Sequence, residues 1–313
     1  MSATSVEQLL TVLTDSRCVE PLQYFAAGRV SRQRKKLQLA VYDDYEAVVA
    51  NFTVKKLDAS CAILLWSDSK EEVVLDCQGL LAAAYLPPVT DRMKFPTKAA
   101  HMTAQSVTIV GPDVDEFRRA ISAVSKIYRF VEQHFGAGAV RPLQSDRIGD
   151  YDALIVRSRY VTPNNIKLWP TTSIPEVIDP RGILGRIVGS GAYKFTEDNV
   201  VQYRETVVDH ANKAVSVEDA NPSVFRQGQL VEVGLSFRAV MVGKQYTFFP
   251  KLESMLLANR TGATILADTL EASRSESNAM AVDEMPVIVR KRQVSYTLDD
   301  VIEDARKRAE TTM

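Results

Sequence analysis

A mainly β protein of the α+β class is what this sequence predicts. The expected body is an antiparallel sandwich or jelly-roll-like fold, with one long packed helix and helices at both ends. Three observations carry that expectation. Apolar and polar residues alternate through 230–258, as on a half-buried strand. Short segments rich in β-formers recur from 37 to 77, separated by polar turns. Between them and the alternating stretch, 113–134 carries one unbroken apolar stripe at helical spacing.

Taken in order, Thr4 and Glu7 have the spacing of a capping box, and Val6, Leu9, Leu10 and Leu13 share a helical face. A basic run follows, with Arg29, Arg32, Arg34, Lys35 and Lys36 within nine residues. It reads as a solvated turn, a nuclear-import signal or a phosphate contact, and sequence leaves the three open. Strands are expected at 37–42, 47–54, 61–66 and 73–77, and again at 106–110 after Pro87-Pro88. Asp113 is the expected N-cap of the long helix, with Glu116 three residues on. Gly136 and Gly138 end it. A phosphate-binding glycine turn would have to follow a strand and open a helix, so these two read as a C-cap.

Residues 140–150 read as a connection and 151–160 as a strand. The proline-rich stretch 161–180 is expected to lie extended. Gly182, Gly185, Gly189 and Gly191 do not fit a phosphate loop, since no Lys-Ser or Lys-Thr follows; a turn and a short helix are expected there. The centre of the chain is a meander: a strand to Met241, a turn at Val242-Gly243-Lys244, a return over 245–249, a break at Pro250, and a third extended segment over 252–258. Residues 263–270 are left as helix or strand, 271–284 as a loop, 287–292 as a late strand, and Thr297 opens a final helix. The chain 1–313 reads as a single β-rich domain, with a division near 140–150 into 1–145 and 146–313 as the alternative.

The 313 residues include 46% hydrophobic and 25% charged, a soluble globular composition, and the formal net charge is -1. No domain-wide basic field is present, so any nucleic-acid contact rests on a local stripe. Cys18, Cys61 and Cys77 form no CxxC and are expected as buried small side chains in a reducing compartment. The start of the chain carries no leader pattern and no apolar run nears the ~20 residues that span a bilayer. An intracellular protein, cytoplasmic or nuclear and away from membranes, is expected.

Catalytic and metal-binding constellations are wanting. His101, His134 and His210 are isolated, and no GxSxG elbow occurs. The pairs Asp43-Asp44, Glu71-Glu72 and Asp299-Asp300 have structural uses in turns and at a helix start. No cofactor is expected. What remains is basic residues interleaved with aromatics on the central hairpin: Arg238, Lys244, Tyr246, Phe248, Phe249 and Lys251. Such a face can stack bases and neutralise phosphates. Tyr246 and Phe248 share one side and Thr247 and Phe249 the other, so one of the two sets is buried. The candidate site is therefore Arg29, Arg32, Arg34, Lys35, Lys36, Arg238, Lys244, Tyr246 and Lys251.

Two segments, 178–205 and 225–260, resemble a large group of uncharacterised proteins of mushroom-forming fungi. The second opens on Phe225, Gly228, Leu230, Val231 and Glu232, the start that group shows before a long β-hairpin. The resemblance brings no activity and no catalytic residues. The group's abundance within single genomes implies mobile elements or integrated viruses. Three functions follow as expectations: a non-enzymatic nucleic-acid-associated binding protein, a self-assembling coat or shell protein forming homo-oligomers, and an enzyme with a dispersed active site.

Overall fold

The computed structural model describes residues 6–31, 34–90, 97–208 and 215–280. By contact density the chain divides into Met1–Glu271 and Ala272–Met313. The expected strand at 287–292 and the helix opened by Thr297 lie outside the described residues, as does Thr4.

Two helices open the chain, α1 (Val6–Leu13) and α2 (Ser16–Val30), the second capped by Asp15, whose carboxylate accepts from Arg17 N. The strand expected at 37–42 is instead a pair of 3-10 turns, Lys35–Leu37 and Leu39–Tyr42. Leu39, Ala40 and Tyr42 are buried and Tyr42 donates its hydroxyl to Lys36 O, so burial is achieved by a turn that folds back on itself. The strand expected at 47–54 starts as helix α3 (Tyr45–Asn51), because the Asp44 carboxylate caps Glu46 N; only β1 (Phe52–Lys56) is extended. There follow β2 (Cys61–Trp66), β3 (Leu75–Tyr85) and β4 (Ala104–Val110).

The long helix is α4 (Asp115–Phe135). Asp113 does not cap it: its φ is 55° and Val114 takes the cap position without a side-chain bond. Gly136, at φ 93°, ends it as expected. Phe117, Ala120, Val124, Ile127 and Val131 bury their side chains in the main core, and each large one stabilises by about 1.5–3 kcal/mol. Gly111 lets the helix start close: a Cβ there would lie 2.4 Å from Phe117 Cβ.

The chain continues through β5 (Asp146–Ile148), β6 (Tyr151–Arg159), β7 (Thr162–Pro163), α5 (Ile183–Gly189), β8 (Tyr193–Lys194), β9 (Gln202–Val208) and β10 (Val215–Asp219). The central hairpin is β11 (Leu230–Val242) and β12 (Gln245–Asn259), turned at Gly243 with φ 70°. Pro250 does not interrupt β12. Tyr246 N–H donates to Ala139 O, away from β11, so by alternation the nitrogen of Pro250 also faces away from the hairpin ladder and no bond is lost there. The expected third segment is the second half of one strand. Residues 263–270 resolve as helix, within α6 (Thr261–Met280), which also replaces the loop expected from 271 as far as Met280.

The described strands give a mixed sheet of ten, not a purely antiparallel one. β11 pairs β12 along its length, β3 with its first half and β2 with its second. β3 pairs β4 and β4 pairs β6, both antiparallel. β6 meets β12 in parallel at Arg157 and Lys251. The strands β3–β4–β6–β12–β11 thus return to β3 and close a barrel-like ring, where the sequence led to a sandwich or jelly-roll-like body. β9 and β10 extend β12 beyond the ring.

Val231, Val233, Leu235, Phe237 and Ala239 line the apolar side of β11, while Glu232, Gly234, Ser236, Arg238 and Val240 line the other. A second, smaller core is built from Val89, Ala100, Tyr160, Ile178, Leu184 and Phe195. Cys18, Cys61 and Cys77 are buried free thiols, and burial pushes Cys61 up to about 11. Among the described residues, no helix is long and apolar enough to cross a membrane.

Candidate functional site

Alternation on five neighbouring strands sets up the site. Tyr85 of β3 faces Ser106 of β4, Ser106 faces Arg157 of β6, Arg157 faces Lys251 of β12, and Lys251 faces Ser236 of β11. Residues directly paired across a ladder share a face, so these five form one row on the outer side of the ring. A cleft of about 300 Å³ lies along this face, lined by Met102 and His101, by Arg157 and Arg159, and by Thr247 and Phe249 among others. Arg238, Asp198 and Lys251 form its floor.

The floor is a closed ionic network. Arg238 and Lys251 are only 4% exposed, and Asp198 6%. Asp198 Oδ1 lies 2.9 Å from Arg238 Nη2 and 3.4 Å from Lys251 Nζ, and its Oδ2 is 3.9 Å from Arg159 Nη2. Lys251 Nζ also donates to both oxygens of Glu253 at 2.7 and 2.8 Å, and Glu72 pairs with Arg238 Nη1. Burial pulls the Arg238 guanidinium down, but Glu72 and Asp198 beside it more than offset this and hold it above its ordinary value. Burial raises Glu253, and Lys251 opposes that rise.

Local structure fixes Asp198 in place. The turn Glu197–Asn199 is closed by Asn199, whose Oδ1 accepts from Thr196 N at 2.9 Å and Thr162 Oγ1 at 3.1 Å. Asn199 Nδ2 donates to Arg159 O, and Gln105 Nε2 donates to Asn199 O at 3.1 Å. Three strands therefore anchor the turn that carries the central acid.

The rim is differently made. Arg157 is exposed, has no acid partner among the described residues, and lies with its guanidinium carbon 5.3 Å from the Phe249 ring centroid. Tyr85 is 71% and Met102 75% exposed. His101 Nδ1 is 3.2 Å from Tyr193 Oη, and the Trp169 ring lies 5.7 Å from the Arg238 guanidinium carbon.

The residues expected from sequence fall into three places. Arg238 and Lys251 belong to the floor. Lys244 is exposed on the hairpin turn, whereas Tyr246 is buried, donating to Ala59 O at 2.9 Å with its ring 4.0 Å from Phe135. Tyr246 and Phe248 are therefore the buried set, and Thr247 and Phe249 face the cleft. The basic run is elsewhere on the chain. Arg29 pairs with Glu232 at 2.7 Å, Lys36 with Asp68 at 2.8 Å and over Trp66, and Arg34 and Lys35 are exposed. Arg32 lies outside the described residues. Sequence reading missed Arg157, Arg159, Asp198 and Glu253. The signal for the first two was present: Arg157 and Arg159 alternate with apolar or small residues in LIVRSRY, which puts both on the outer face of one strand.

Among the described residues, no group of three or more His, Cys, Asp or Glu is placed to hold a metal ion. No protein-family model matches the chain, and no curated protein matches it. Among solved structures it is similar to gp2.5, a single-stranded DNA-binding protein encoded by bacteriophage T7. The TM-score is 0.31 and the identity 12%, over 59% of this chain and 86% of that one. It is also similar to a C-terminally truncated single-stranded DNA-binding protein from bacteriophage Enc34. There the TM-score is 0.28 and the identity 7%, over 66% of this chain and 94% of that one. Both are loose likenesses of shape.

Proposed function

We propose that the chain binds single-stranded nucleic acid across the outer face of β4, β6 and β12, without catalysing a reaction on it. The observation that carries this is the order of the ring. Numbered along the chain, β3, β4, β6, β11 and β12 are first to fifth, and around the ring they run first, second, third, fifth, fourth, with third and fifth parallel. That is the strand order of the oligonucleotide- and oligosaccharide-binding barrel. Such barrels bind on the face of their second and third strands, between the loops joining first to second and fourth to fifth. Here that face carries Arg157 on the third strand, with Phe249 of the neighbouring fifth strand against it, bordered by His101 and Met102 before β4 and by Val242 at the hairpin turn.

The chemistry of the face supports the reading. A single strand needs ring faces for its bases and cations for its phosphates. Phe249 and the exposed Tyr85 supply rings, and Arg157 supplies a cation that no carboxylate among the described residues neutralises. The floor ions hold one another, which leaves none of them as an evident general acid or base and supports binding over catalysis. The test is fluorescence anisotropy with labelled oligothymidylate and a duplex of equal length at two salt concentrations. Tighter binding of the single strand, weakened by salt, is expected; equal binding of both, or of neither, removes the proposal.

A further inference from the structure

Building on that single-strand reading, we infer that the recess beside Phe249 takes one unstacked nucleobase as a neutral ring, while the flanking phosphate stays outside on Arg157. Charge decides the depth of each part. The floor sets three cations, Arg159, Arg238 and Lys251, against three carboxylates, Asp198, Glu72 and Glu253. An anion pressed into it would meet no net positive charge and would lose its hydration. A neutral ring loses little. The cation left over is Arg157, and it stands at the rim.

The walls fit a flat ring. Ala104, Val240, Val242 and Phe249 give apolar surface, and the Phe249 face is the one on which the Arg157 guanidinium rests. Stacking on an aromatic ring tolerates any base, as a sequence-tolerant binder needs. Hydrogen-bonding capacity is also in reserve. Among the described residues, three buried polar atoms of lining residues have no hydrogen-bond partner: Ser158 Oγ, on the inward side of β6, and Arg238 Nε and Thr247 Oγ1, on the cleft side of their strands. Buried polar atoms are ordinarily paired, so two unpaired ones behind one recess point to a ligand edge. The Thr247 hydroxyl, just behind the wall of the recess, can either donate to such an edge or accept from it. A duplex keeps its bases stacked and paired and cannot offer one without opening.

The experiment compares labelled oligothymidylate of about 15 nucleotides with an abasic sugar–phosphate strand of the same length. The wild type is expected to bind the base-bearing strand more tightly. Thr247→Val is expected to weaken that strand about three- to tenfold, as loss of one hydrogen bond does, and to leave the abasic strand unchanged. Thr247→Ser keeps the hydroxyl and should restore binding, which separates recognition from a folding defect. Equal wild-type affinity for both strands overturns the base site and leaves single-strand binding standing, as does a Thr247→Val chain that still discriminates fully. If neither strand binds, the single-strand reading fails and thymidine alone decides the recess. Quenching of Trp169 fluorescence by thymidine, lost in Thr247→Val, would uphold the recess, and no quenching would end it.

Discussion

The floor and the rim of the cleft use the same residue types for opposite purposes. Arg238 and Lys251 are enclosed with Asp198, Glu72 and Glu253, so their charge holds the 197–199 turn and the 72 region onto β11 and β12. Arg157, one strand over and directly paired with Lys251, is exposed and, among the described residues, rests on a ring face with no carboxylate paired to it. Basic character in a sequence therefore does not mark a binding cation. Burial next to carboxylates turns one arginine into a structural tie, and exposure leaves its neighbour free for a ligand.

The strongest way to break this contrast is at the floor. Arg238→Met takes from Glu72 its paired guanidinium and from Asp198 its nearest cation. It is expected to destabilise the fold by about 3–5 kcal/mol, read as a lower urea midpoint. A loss below about 1 kcal/mol would mean the network does not tie the fold together. At the rim, Arg157→Ser should leave stability within about 0.5 kcal/mol, weaken single-strand binding roughly tenfold and reduce the salt slope by about one. A folding defect with binding intact would reverse the assignment of floor and rim.

The other end of the polar side of β11 sharpens the contrast by pH. Asp76 is paired with Gly234 and accepts from Gln38, near the charges of Glu232, Arg29 and Arg34; burial, then the Glu232 charge, pushes its carboxyl up to about 7. Its folded pKa exceeds its unfolded one, so the native state retains a proton that the unfolded chain releases. Stability should therefore fall as pH rises from roughly 4 through 7. Asp76→Asn should flatten that fall and raise stability by on the order of 1–2 kcal/mol at about pH 8, measured by thermal melts across pH. The smallest effect is expected at the hairpin tip, where Lys244→Ser should change stability by less than about 0.5 kcal/mol in a urea titration.

Much of the scaffold was legible because its signals are local. The β11–β12 hairpin follows from period-2 alternation and Gly243, and α4 from its apolar stripe. Local signals misled where packing chose between equal options. At 37–42 the apolar residues could be buried by strand or turn, and at 47–54 the Asp44 cap tipped a β-rich segment into a helix. Pro250 argued for a break only while its free side was unknown.

The residue order is enough to specify the elements whose periodicity fits one conformation, and to exclude a domain-wide basic field. Tertiary structure alone decided that the strands close into a ring through Arg157 and Lys251, and that Asp198 is brought beneath Arg238. The physical reason is that a charge's role depends on what surrounds it. Its neighbours are set by pairings between residues far apart in the chain, which no spacing along the sequence records.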